Sequence, residues 1–188
     1  MKTTPVVCIS LTAMRLWAVT SAARDPAGAL VETVRAATER FQNIEEATEA
    51  GDADALVCVI GPEEGAMGVH FGNATLIGDG TLDPERPELL VYEPKNGQLH
   101  LVAVEYLVIA ADWDAKHPTT PPSLLGQLFH DNGSPNRDGL PAFYELHVWA
   151  WKHNPHGMCT DWNPKVSCAG YSPEAATPAS AEAHGAGH

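Results

Sequence analysis

The chain has 188 residues and 44% hydrophobic content, which suits one globular domain with flexible ends and argues against wholesale disorder. Its 24 acidic residues against 11 basic ones leave a net charge of −13. That charge repels nucleic acids and anionic membrane surfaces, while small neutral or cationic ligands and metal cations remain compatible.

In chain order, Lys2 precedes two apolar runs, PVVCISLTAM and LWAVTSAA, separated by Arg15. Ser21-Ala22-Ala23 has the small residues of a cleavage site, so residues 1–23 are expected to be a signal peptide and the protein secreted or periplasmic. A frayed cytosolic N-terminus is the alternative. The segment is too short and too polar at its middle for a membrane span. Cleavage would remove Cys8 and leave Cys58, Cys159 and Cys168, enough for one intramolecular bridge at most. Cys58 with Cys168 would join the two ends of the β-rich region. Cys159 with Cys168, or three free thiols, are the other arrangements. No CxxC pair supports a zinc-ribbon or thioredoxin reading.

Residues 26–50 carry helical periodicity: Leu30, Val34, Ala37, Phe41, Ile44 and Thr48 fall on one face. Asp25 before Pro26 has the form of an N-cap, and Gly51 can end the helix. Five strand-like runs follow: Ala55–Ile60, Ala66–Phe71, Glu88–Pro94, Gln98–Ala110 and Phe143–Trp151. Asn96-Gly97 between the third and fourth predicts a tight antiparallel hairpin. Asp112 to Pro141 is rich in Pro and Gly but holds the apolar SLLGQLF, and is read as an ordered lid. Residues 171–188 are low-complexity and read as a disordered tail, leaving 24–170 as a single α+β domain.

The chemistry-bearing feature is four ionisable residues inside apolar runs: His70 in AMGVHF, Glu93 in LLVYEP, Glu105 in LVAVEYLVIA and His147 in FYELHVWAW. An isolated charge in such surroundings is costly, so each needs a proton, a partner or a cation. Two imidazoles and two carboxylates converging on one point would suit a divalent ion of zinc, iron, manganese or copper. Glu145, two residues from His147 on the same predicted face, is the rival to Glu93. With an open coordination position the site could support Lewis-acid catalysis under the lid. The competing readings are a buried His–Glu hydrogen-bond network and a non-enzymatic small-ligand module with Trp149 and Trp151 lining an apolar pocket. No GxSxG nucleophile elbow, phosphate loop or dinucleotide fingerprint is present.

The segments GAMGVHF with Asn73, LLVYEP, VEY, HVWAWKHNPHGM and WNPKVSC together resemble a group of small, mostly uncharacterised bacterial proteins that often begin with export signals. The resemblance spans roughly residues 30–168. It implies an exported α+β domain and favours Cys58 with Cys168 as the bridge, and it carries no activity with it. The expected architecture is one N-terminal helix packed on a largely antiparallel, barrel-like sheet.

Overall fold

The computed structural model of the chain describes residues 25–171, except Pro62 and Arg137; the expected signal peptide and all of the expected tail but Tyr171 lie outside them. The chain forms an α+β fold in which an N-terminal helix packs on a curled, half-barrel sheet. Helix α1 runs from Pro26 to Thr38, and the Asp25 carboxylate accepts the Ala27 amide at 3.2 Å, as an N-cap should. The helix expected over residues 26–50 is broken. A 3₁₀ turn, Glu39–Gln42, is followed by α2, Ile44–Glu49. Asn43 causes the division: its backbone is extended and its side chain accepts from the Glu45 amide, capping a new helix. The break turns Phe41 into the core, where its carbonyl accepts the Tyr92 hydroxyl at 2.7 Å.

The remaining elements are β1 (Ala53–Gly61), β2 (Gly65–Gly72), α3 (Ala74–Ile77), β3 (Leu89–Lys95), β4 (Gln98–Ile109) and α4 (Ala110–Lys116). They are followed by β5 (Ser123–Leu124), β6 (Gln127–Leu128), β7 (His130–Asn132) and β8 (Phe143–Val148). The main sheet has six strands in the order β1-β2-β3-β4-β8-β7, every neighbouring pair antiparallel. The β3–β4 hairpin turns at Asn96 (φ 54°) and Gly97 (φ 75°), the left-handed pair that Asn-Gly accommodates.

Alternation along the strands divides the sheet into two faces. One presents Phe71, Leu90, Val104 and Leu146 to Leu30 and Val34 of α1, forming the larger core cluster. Complete burial of an aliphatic side chain such as Leu30 stabilises by about 1.5–3 kcal/mol. The other face carries His70, Glu105 and His147, flanked by two smaller apolar clusters. Ala66, Val91, Ala103, Trp149 and Val166 lie towards one end, and Leu89, Leu107 and Phe143 towards the other. The chain after β8 returns to this face. Ala66 and Asn163 exchange backbone hydrogen bonds, and a Cys58–Cys168 disulfide ties β1 to the end of the segment. Cys159 is free and half-buried.

The segment from Asp112 to Pro141 differs from a lid lying over the polar face. Leu124 and Phe129 join the helix-side core, and β7 adds to the sheet edge beside β8. Of the apolar residues of SLLGQLF, Leu124 and Phe129 are thus absorbed by the larger core, on the side away from His70, Glu105 and His147, while Leu125 and Leu128 are exposed.

Candidate metal centre

Three of the four ionisable residues expected to converge do so. In β4, Glu105 lies opposite Leu89 of β3 and His147 of β8, while His70 of β2 lies opposite Val91 of β3. His70 and Glu105 are two strands apart, about 10 Å in a flat sheet. Sheet curl and side-chain length bring His70 Nε2 to 3.3 Å from Glu105 Oε2, and His147 Nδ1 lies 3.9 Å from the same oxygen. One ligand atom from each residue lies within 4.8 Å of the other two, and all three residues are buried. A tetrahedral ion with bonds of about 2.1 Å separates its ligand atoms by about 3.4 Å, so a small contraction would close this triad on a cation. The buried His70–Glu105–His147 triad could hold a metal ion.

The surroundings favour ligation by neutral imidazole. Burial first, then the neighbouring His70 and His130, hold His147 well below the ordinary histidine range. Its ring lies against Trp149, with centroids 4.8 Å apart, and Trp149 is anchored through Nε1 to the Thr160 carbonyl at 2.6 Å. His147 Nε2 is buried without a hydrogen-bond partner among the described residues. Such an atom costs about 1–3 kcal/mol when nothing satisfies it.

Glu93 does not join this group. The register shift between Val91 and Tyr92 places it opposite His100, four residues along β3 from Leu89 and so about 13 Å from the Glu105 level. Its carboxylate accepts Lys152 Nζ and the Ser167 amide, fastening the returning C-terminal segment to the hairpin. Glu145 is much nearer. Burial, then the Glu105 charge and a hydrogen bond with Glu105, push its carboxyl up to about 9. Glu145 thus meets the Glu105 carboxylate from the side, as an outer partner that fixes a ligand's orientation. Glu145→Gln is expected to weaken binding of a divalent ion by about 10- to 100-fold while leaving the fold intact. Titration with zinc against a competing chelator measures this, and an unchanged affinity would contradict the assignment.

A further buried carboxyl, Glu88, escaped the sequence reading because it begins a strand, where exposure is common. The β3 ladder ends at Leu89, so the Leu107 amide has no strand partner on that side and donates instead to Glu88 Oε2 at 3.2 Å. Burial, reinforced by Asp79 and Glu105, pushes Glu88 up to about 8 despite that hydrogen bond. Because the folded protein holds this proton more tightly than the unfolded chain, Glu88 lowers stability progressively from about pH 4.5 to about pH 8. Glu88→Gln keeps an acceptor for Leu107 and removes that loss. With a chelator present, parent and variant stabilities are expected to match at pH 4 and to separate by a few kcal/mol at pH 8.5. Parallel denaturation curves across that range would refute it.

The tryptophans are engaged in packing. Trp151 Nε1 donates to Thr38 Oγ1 at 3.0 Å and its ring lies under the Arg35 guanidinium, while the Trp162 ring lies against Gly61. Asn73, in a glycosylation-type triplet, is buried, caps α3 and donates to the Ala50 carbonyl at 3.1 Å, so its amide is committed internally. Among the described residues no helix is long and apolar enough to cross a membrane. A scan against protein-family models finds no matching family, and searches of curated proteins and of solved structures find no significant match.

Proposed function

We propose that the protein is an exported divalent-metal-binding protein whose ion is held by His70, Glu105 and His147. The observation that carries this reading is the convergence of three buried donor groups from three strands onto one point. Two imidazoles and one carboxylate form a borderline donor set, suited to zinc, iron, manganese or copper. Three protein ligands leave at least one coordination position open, where a bound water or a small-molecule substrate would be polarised, as in a metal-dependent enzyme. The Cys58–Cys168 disulfide accords with an oxidising compartment outside the cytosol. The alternative of an apolar pocket lined by Trp149 and Trp151 is less well supported, because both indoles are committed to internal hydrogen bonds.

Elemental analysis of the purified full chain beside His70→Ala/His147→Ala tests the reading. Near-stoichiometric metal in the parent and none in a folded variant is the expected result. Equal metal in both, or none in either after supplying zinc, iron, manganese and copper, would overturn it.

A further inference from the structure

The three candidate ligands are almost wholly buried, so an ion needs a route to them. The flanking structure narrows that route. Along the strands, the way is closed at one end by Val91, Ala103 and Trp149 and at the other by Leu89, Leu107 and Phe143. Across the sheet beyond His70 lies Leu56 of β1, another apolar side chain. Towards the β7 edge of the sheet, past Glu145, the facing residues are polar. Glu145 lies directly opposite His130 on the edge strand β7, and directly paired residues point to the same face.

His130 is not isolated there. Its Nδ1 lies 3.3 Å from Asp161 Oδ1, and the two side chains are 49% and 26% exposed, so the pair reaches solvent. An imidazole and a carboxylate are also the donor types of the buried triad.

Resting on the metal-binding reading above, we propose that His130 and Asp161 form an outer station at which a divalent cation is first captured before passing Glu145 to the buried triad. The pair concentrates cations at the polar sheet edge beside Glu145. It lowers the barrier to uptake and leaves the end state unchanged. Uptake and release therefore share the same acceleration.

The experiment uses metal-free full chain and cobalt(II) chloride, with binding followed by stopped-flow absorbance and release followed by adding EDTA. The variant is His130→Gln/Asp161→Asn, two exposed or half-exposed positions, with folding checked by circular dichroism. Expected is association slowed about tenfold, EDTA extraction slowed by the same factor, and an unchanged final affinity. Unchanged rates would overturn the proposal and leave the metal-binding reading standing. Loss of the final affinity would also overturn it, because the pair would then be ligands of the bound ion. Failure of the parent to take up cobalt would overturn both.

Discussion

Replacing His147 with leucine is expected to abolish metal binding and, in the metal-free protein, to raise stability by about 1–3 kcal/mol. The two effects arise at opposite sides of one ring: Nδ1 faces Glu105 in the triad, and Nε2 is the unsatisfied atom. His147 is 1% exposed, its Nε2 meets no hydrogen-bond partner among the described residues, and burial already holds the ring neutral. A leucine of similar volume keeps contact with Trp149 and brings no polar atom that needs satisfying. A residue kept only for packing would show the opposite behaviour, with the native histidine the more stable choice. Zinc titration measures the first effect, and denaturant unfolding in the presence of a chelator measures the second. A leucine variant that is less stable than the metal-free parent, or that binds zinc as the parent does, would contradict this assignment.

Breaking the disulfide is expected to have the largest effect on stability. Cys58 and Cys168 are 110 residues apart in sequence, and closing a loop of that length stabilises the fold by about 5 kcal/mol in the chain-entropy model. That is a large share of the 5–15 kcal/mol by which a domain of this size is usually stable. The bridge also holds the returning segment that supplies Thr160 to Trp149 and Ser167 to Glu93. Cys58→Ser/Cys168→Ser is therefore expected to lower the unfolding midpoint steeply. Reduction of the parent with dithiothreitol should reproduce the loss, and the same treatment should leave the serine variant unchanged. A loss below about 1 kcal/mol would show that the bridge is incidental to the fold.

Much of the strand layout was legible because the strands obey period-two patterning and Asn96-Gly97 marks its hairpin. His70, Glu105 and His147 were legible as candidates because each interrupts an apolar run, where an ionisable group needs a reason. Glu93 interrupts its run in the same way, yet it lies with Lys152, a partner 59 residues away that no local pattern announces. The register shift between Val91 and Tyr92 adds to the separation and is equally silent in sequence. Periodicity also ran through Asn43, since a capping side chain restarts the helix without disturbing the spacing of Phe41 and Ile44. The short strand β7 was hidden within a Pro- and Gly-rich stretch, and with it the pairing of His130 to Asp161 across 31 residues. Local physics specified which residues were anomalous. Long-range packing decided which of them met.

The most direct test of the metal centre is X-ray absorption spectroscopy at the edge of the bound ion, on zinc- or cobalt-loaded full chain after exhaustive desalting. The account predicts a first shell of nitrogen and oxygen near 2.0–2.2 Å with the outer scattering of two imidazole rings and no sulfur. An ion retained with no imidazole scattering, or bound through the Cys159 thiolate, would contradict the site formed by His70, Glu105 and His147.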